Sequence, residues 1–398
     1  MHEASTTQRG PVMRNVALLA ICQALGMSCL ALSITITALV GNGLAPDPSL
    51  ATFPLALQFI ATAASTIPAS LLMGRFGRRV GFTIGGLLGV AGGVVACQAV
   101  ILGSFSMFCV GAALLGAFAA HVALYRFAAA EVAGPELRSR AISLVMVGGV
   151  ASAILGPELA KWSQDLFAPI LFAGGYAAIA VLAFIGLALV QLIDLPPAPG
   201  RRTGGGGRPL REILAQPSLI VAVLCAMVAY GSMNLIMVST PLAMVACLHP
   251  FETAAFVIQW HVVGMYAPSF VTGHIIERIG VLRVISIGAL LILACVAVNL
   301  TGVEVLQFWG GLVLLGVGWN FMYVGATTLL TETYRPEEQS RVQAFNEFMV
   351  FGTTAFTALA SGAVFNALGW QILNVSVILP ILAAATAALW LVRQRASA

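Results

Sequence analysis

Glu131-Val132-Ala133-Gly134-Pro135-Glu136-Leu137-Arg138-Ser139-Arg140 is one of the few strongly polar stretches in this chain, and it occurs twice. The second copy, Glu332-Thr333-Tyr334-Arg335-Pro336-Glu337-Glu338-Gln339-Ser340-Arg341, stands 201 positions on (131 to 332), with Glu, Pro, Glu, Ser and Arg in register. Two further pairs lie at nearly the same offset. Val16-Ala17-Leu18-Leu19, then Ala24, Gly26, Thr35, Ala38 and Val40, matches Val221-Ala222-Val223-Leu224, then Ala229, Gly231, Thr240, Ala243 and Val245. Arg75-Phe76-Gly77 matches Arg278-Ile279-Gly280. The chain is one structural unit written twice in the same direction.

What separates the polar stretches is apolar. Of 398 residues, 60% are hydrophobic and 9% charged, with a mean hydropathy of +0.98. A soluble domain carries about 25% charged residues, so this chain cannot coat a water-facing surface. The net charge of +4 comes from scattered arginines and one lysine, Lys161. They form no basic patch, which excludes a nucleic-acid partner. A membrane-crossing helix needs about 20 apolar residues, and charges and turn residues punctuate the chain at near that spacing. The reading predicts twelve spans: 15–41, 50–73, 80–102, 106–129, 140–160, 168–192, 217–244, 251–275, 283–301, 306–331, 342–365 and 370–392. The fold class is an all-α membrane protein, twelve transmembrane helices in two parallel six-helix repeats. Residues 1–194 form the first bundle and 217–398 the second. Residues 195–216, with Pro196-Pro197-Ala198-Pro199, Arg201-Arg202 and Gly204 to Gly207, read as a flexible cytoplasmic linker. The first 14 residues are polar and show no cleavable leader pattern. Cytoplasmic loops retain Lys and Arg, and an inside N-terminus puts seventeen of the nineteen basic residues on that side. Both termini are then cytoplasmic.

Parallel halves related by an axis along the membrane normal are an architecture of secondary transporters. The turn between spans 2 and 3 reads Ser70-Leu71-Leu72-Met73-Gly74-Arg75-Phe76-Gly77-Arg78-Arg79. It resembles the major facilitator superfamily signature Gly-x-x-x-Asp-Arg-x-Gly-Arg-Arg, with Ser70 and Gly74 in place of the leading Gly and the Asp. The second-half copy, Gly273-His274-Ile275-Ile276-Glu277-Arg278-Ile279-Gly280, keeps the Gly and has Glu277 at the acidic position. The resemblance to a bacterial permease of this superfamily covers essentially the whole chain. It implies alternating access, residence in the cell inner membrane and a small-molecule substrate. Gly318-Trp319-Asn320-Phe321 and Gln343-Ala344-Phe345-Asn346-Glu347-Phe348 are similar to a group of proteobacterial permeases for vitamin uptake, riboflavin in particular. Uptake of a small planar polar solute is therefore the expectation. Proton-coupled efflux of hydrophobic drugs or metabolites is the alternative. Drug exporters carry Gly-Pro-x-x-Gly-Gly in span 5, and Gly156-Pro157-Glu158-Leu159-Ala160 lacks the closing glycines. A non-transporting sensor on the permease fold is the third reading and would need an added signalling domain or partner.

Two sets of residues carry the expected function. The resemblance places the first, fourth, seventh and tenth spans around the cavity, where Gln23, His121, Tyr125, Tyr230, Asn234, Trp319, Asn320 and Tyr323 stand near mid-span; span 8 adds Trp260 and His261. Amides, indoles and phenols combine hydrogen bonds with flat stacking faces, which suits a planar, neutral solute. The competing reading makes them packing groups between helices. The second set is cytoplasmic: Arg75, Arg78, Arg79 and Arg140 around Glu131, and Arg278 with Arg283, Glu277 and Arg341 around Glu332. These read as charge latches at two equivalent inner gates, or simply as arginines that fix topology. Ionisable side chains within a bilayer are functional candidates. His121 and His261 are candidate proton carriers, and Arg126 is read as a partner of Glu131. Glu347 lies six residues past Arg341, about 9 Å into the membrane at helical rise, and is a further proton candidate. Glu158 and Lys161, three apart, read as a local ion pair. Span 1 has no mid-membrane acid where many proton-coupled relatives use one, so protons remain one candidate coupling ion. The seven cysteines sit in or beside apolar stretches without metal spacing. No phosphate-binding loop and no Ser-His-Asp arrangement appears. The chain reads as a monomer embedded in lipid, with no cofactor, no metal and no enzyme chemistry.

Overall fold

In hydrocarbon an unpaired amide has no water to turn to, so each crossing segment must close its own hydrogen bonds as a helix. The computed structural model, which describes residues 3–47, 50, 53–195 and 207–397, is helical throughout, with no strand among the described residues. Its helices are α1 (Glu3–Leu44), α2 (Phe53–Phe76), α3 (Arg78–Leu102), α4 (Phe105–Val122), α5 (Tyr125–Ser163), α6 (Ala173–Val190) and the short α7 (Leu210–Leu214). They continue as α8 (Pro217–Ala246), α9 (Phe251–Tyr266), α10 (Ser269–Ile279), α11 (Val281–Thr301), α12 (Val305–Thr331), α13 (Gln339–Ser376) and α14 (Ile378–Ser397).

The chain groups into two compact units: Met1–Gly206 with Pro336–Phe348, and Gly207–Arg335 with Met349–Ala398. Helix α13 thus changes unit after Phe348. Residues 196–206 of the expected linker lie outside the described residues. Its end departs from the expectation: α7 is helical, and Ile213 is fully buried, because an isoleucine beside the second unit gains more from burial than from a solvated turn.

Nine helical stretches among the described residues are long and apolar enough to cross a membrane by length and composition. One of these, Phe105–Ser163, is 59 residues long, enough for two crossings. The expected spans absent from that set have visible causes. Span 8 is cut into α9 and α10 at Ala267-Pro268, where proline lacks an N–H. The first half of α13 carries Arg341, Gln343, Asn346 and Glu347, which lower its hydropathy. Gly134 (φ 74°) and Gly369 (φ 76°) break α5 and α13 into two segments each. Large apolar side chains such as Leu87, Val94, Val181, Phe184 and Leu290 stand on outer faces, tolerable in lipid and not in water.

The duplication is visible in the backbone. Gly77 (φ 90°, ψ 161°) and Gly280 (φ 90°, ψ 149°) precede α3 and α11 in the same conformation, a region open essentially only to glycine. The Arg-x-Gly repeat therefore exists because each half makes the same turn.

Inside the first unit, α3 packs through two glycine stripes. A Cβ on Gly85 would meet the His121 side chain at 2.5 Å, and one on Gly92 would meet Leu115 at 3.0 Å, both on α4. On the other stripe, a Cβ on Gly86 would lie 2.9 Å from Leu187 and one on Gly93 2.7 Å from the Ala180 backbone nitrogen, both on α6. Close backbone approach is the main source of helix association in lipid. Gly93→Ala must push two backbones apart. We expect a loss of about 1–3 kcal/mol, read as a lower thermal midpoint of the purified protein, while Gly186→Ala, with open space at its Cβ, leaves the midpoint unchanged.

Candidate functional site

In the first unit the turn after Gly77 delivers Arg78 inward. Its guanidinium holds Glu131 of α5 with two bonds, Nε to Oε2 at 3.1 Å and Nη2 to Oε1 at 2.5 Å. Nη2 also donates to Gln343 Oε1 at 2.5 Å, and Gln343 Nε2 reaches Glu131 Oε1 at 3.4 Å. Arg78 is 5% exposed. Arg75 is exposed, with its guanidinium over Phe76. Arg79 donates to the Ile193 carbonyl at 2.7 Å, with Asp194 at 4.0 Å. Gly74 and Ser70, which replace the signature's Asp and Gly, make a close seat for the start of α13. Ser70 Oγ donates to the Ser340 carbonyl at 2.8 Å, and a Cβ on Gly74 would overlap Ser340.

Arg126 does not pair with Glu131, as its spacing implied. Its Nη2 donates to Glu347 Oε1 at 2.5 Å and its Nη1 to the Ala123 carbonyl at 2.7 Å. The reason is that Glu131 is already saturated by Arg78, and Glu347 is sealed from water with Arg126 as its cation. The side chains of this pair are 5% and 0% exposed. His121 gives Nδ1 to the Ala117 carbonyl at 2.9 Å, and Tyr125 stacks on Phe82 at 4.4 Å between centroids, so both serve helix packing. Gln23 is buried on α1 with Oε1 unbonded among the described residues. The surface pair Lys161–Glu158 stands at 2.8 Å.

The second unit holds the aromatic residues. Trp319 and Tyr323, one turn apart on α12, share a face and stack at 5.0 Å with 20° between planes. Tyr230 of α8 meets both edge-on, at 5.2 Å and 4.9 Å. Tyr266 of α9 closes on Trp319 at 5.7 Å, and Phe351 of α13 lies 5.9 Å from Tyr230. Trp319 is fully buried, and its Nε1 has no hydrogen-bond partner among the described residues. Tyr230 is half-buried at the margin of the cluster. Sequence reasoning missed Tyr266, although it drew Trp260 and His261 from the same span, and Phe351, whose span it did not count as cavity-lining. It also missed Gln343, which stands one helical turn before Glu347 and so on the same face of α13.

Other expected site residues stand elsewhere. Asn320 is consumed by the α9–α10 break: Nδ2 donates to the Met265 carbonyl and to Ser269 Oγ, both at 2.6 Å, and Oδ1 accepts from Thr272 at 2.7 Å. A carbonyl released by a proline needs a donor in a membrane, and Asn320 is that donor. Asn234 joins α8 to α13 through the Thr354 carbonyl at 3.1 Å and Thr357 at 3.2 Å. His261 gives Nδ1 to the Leu312 carbonyl at 2.8 Å. Trp260 is 42% exposed between Phe256 and Trp309, apart from the cluster. The second-half latch also differs from its expected form. Glu332 pairs with Arg395 at 3.2 Å, while Arg278, Arg283 and Arg341 are exposed. The last turn of α14 brings Arg395 to a site the first half fills with Arg78. Arg140 and Glu277 are engaged in polar contacts of their own.

The Major Facilitator Superfamily model matches residues 16–257 and again 222–398. The chain belongs to that superfamily. It is a secondary transporter and a multi-pass membrane protein, not an enzyme. It is 39% identical over 363 residues to the riboflavin transporter RfnT of Brucella anthropi, covering 91% of each chain. It is 27% identical to the uncharacterized MFS-type transporter YdeG of Bacillus subtilis, over 89% of this chain and 86% of that one. The E. coli fucose:proton symporter FucP has the same fold, with a TM-score of 0.74 at 16% identity over 95% of this chain and 98% of that one. So has the human organic anion transporter MFSD10, with 0.77 at 14% over 95% and 99%.

Breaking a buried ion pair costs about 3–5 kcal/mol, and an exposed arginine about 0.5 kcal/mol or less. Arg78→Ala should therefore lower the thermal midpoint far more than Arg75→Ala. Equal midpoints for the two variants would show that the Arg78 node holds nothing.

Proposed function

We propose that this permease takes up riboflavin, or a flavin-like planar solute, across the bacterial inner membrane by alternating access. The observation that carries this is the 39% identity to a riboflavin transporter across nine-tenths of both chains. The chemistry of the second unit supports it. An isoalloxazine ring is flat, largely apolar on its faces and polar along one edge. Tyr230, Trp319, Tyr323, Tyr266 and Phe351 supply stacking faces, and the buried indole N–H of Trp319 is a donor without an acceptor among the described residues. The Arg78–Glu131–Gln343 node is the gate in this reading, a set of charge-assisted bonds that hold the start of α13 until transport breaks them.

Labelled riboflavin should accumulate in a riboflavin auxotroph that expresses the chain, and no uptake would sink the substrate assignment. Tyr230→Ala removes an aromatic face at the margin of the cluster. It should raise the KM for uptake roughly three- to ten-fold, about 0.5–1.5 kcal/mol of stacking, with surface expression unchanged. The protein acts as a monomer with both termini in the cytoplasm. A C-terminal alkaline phosphatase fusion should accordingly be inactive in cells; an active fusion reverses the orientation.

A further inference from the structure

The first unit contains two arginine–glutamate pairs that differ in one telling respect. Arg78 occupies both oxygens of Glu131, and that carboxylate keeps partial contact with water, its side chain 17% exposed. This is how a structural ion pair is satisfied. Arg126 occupies one oxygen of Glu347. Asn346 Nδ2 donates to the same oxygen at 2.8 Å. The other, Oε2, is buried with no hydrogen-bond partner among the described residues, and so is Asn346 Oδ1.

Half-satisfaction of a fully buried carboxylate is costly. A buried pair kept only for stability gains little over apolar packing. The arrangement therefore serves something other than holding helices together. Among the described acids only Glu338 and Glu347 are buried. Glu338 lies just before α13 begins, whereas Glu347 is nine residues further on, inside the helix. Two bare acceptors on adjacent residues, with the Arg126 Nε–H also bonded to neither, leave room for a donor hydrogen, and the smallest that fits a sealed site is a proton.

We propose that Glu347, positioned by Arg126, takes up and releases the coupling proton; the transported solute in this scheme rests on the riboflavin reading above. A proton from the outer water adds to Oε2 and converts the carboxylate to a neutral acid. The Arg126–Glu347 pair passes from net zero to net +1, and its hold between α5 and α13 loosens. Loss of the proton to the inner water restores the ion pair. The charged groups around Glu347 are Arg126 on α5 and, a turn nearer the start of α13, the Arg78–Glu131 pair joined through Gln343. Arg126 keeps the Ala123 carbonyl and the Phe127 ring face, 4.6 Å from its Cζ, when the carboxyl is neutral. His121 has Nδ1 on its own helix and packs against Gly85.

The test uses the full chain in liposomes with two transport assays and one spectroscopic readout. Wild type should accumulate labelled riboflavin when the outside is more acidic, and exchange it without a gradient. Glu347→Gln should keep exchange within about two-fold and lose at least ten-fold of the gradient-driven accumulation. Infrared difference spectra of the wild type should gain a protonated-carboxyl C=O band on acidification that Glu347→Gln lacks, whatever the solute. Three results overturn the assignment: wild-type uptake indifferent to the pH gradient, a Gln variant that loses exchange along with accumulation, or an acid-induced band that survives in the variant. Wild type that exchanges no riboflavin sinks the substrate reading alone, and the infrared band still decides the proton site.

Discussion

The constraint on which this molecule depends is the absence of water from the bilayer core. It forces every crossing segment into helix, and it makes each interruption need an internal donor or acceptor. Proline at 268 breaks a span, and Asn320 spends both N–H donors and its side-chain oxygen on the carbonyl and hydroxyls at that break. Without a hydrophobic effect between helices, association relies on close contact. That explains why α3 presents glycines to α4 on one stripe and to α6 on another. The same constraint confines charge: the ions left inside the first unit are held in pairs or networks, and each pair has its own character.

The two halves began alike and have diverged where function asks for it. Both make the Arg-x-Gly turn with glycine at φ 90°. Both place a glutamate just past the fourth predicted span of the repeat, Glu131 after 106–129 and Glu332 after 306–331. In the first half Glu131 is gripped by Arg78, buried, with Gln343 added. In the second, Glu332 meets Arg395 near the surface, where an ion pair contributes little. The missing signature acid in the first half is a substitution with a partner. Small Gly74 and the Ser70 hydroxyl seat Ser340 closely, in a space that an aspartate would fill.

How much of this was legible in the sequence follows from what sequence encodes directly. Hydropathy and duplication are properties of the linear chain, so the twelve-span architecture could be read from it. The helix breaks at Gly134 and Gly369 fall in the gaps 130–139 and 366–369 between predicted spans, because polar and turn residues interrupt the hydropathy there. The pairing of Arg126 with Glu347 was invisible because the two are 221 positions apart, and local spacing pointed to Glu131 instead. Tyr230, Trp319 and Tyr323 were found because they stand near mid-span in the seventh and tenth spans, which the family resemblance places around the cavity. Tyr266 was not, because its place in the cluster depends on how α9 packs on α12. Asn234, Asn320 and the two histidines show the opposite limit. A polar residue at mid-span looks the same in sequence whether it awaits a solute or already bonds a neighbouring helix.

These distinctions change what the scarcity of charge means. A neutral aromatic cluster in the second unit can hold a flat solute by its faces, but stacking by itself supplies no energy to move that solute uphill. Under the proposed proton coupling, a charge that comes and goes supplies that energy, and in hydrocarbon it is paired in one state and neutral in the other. Helix α13 carries residues of both kinds: Glu347, paired with Arg126, and Phe351, against Tyr230. They lie four residues apart, one helical turn, about 6 Å along the axis. The proposed proton site and the proposed stacking face therefore share one helix, and a turn of helix is a stiff connector.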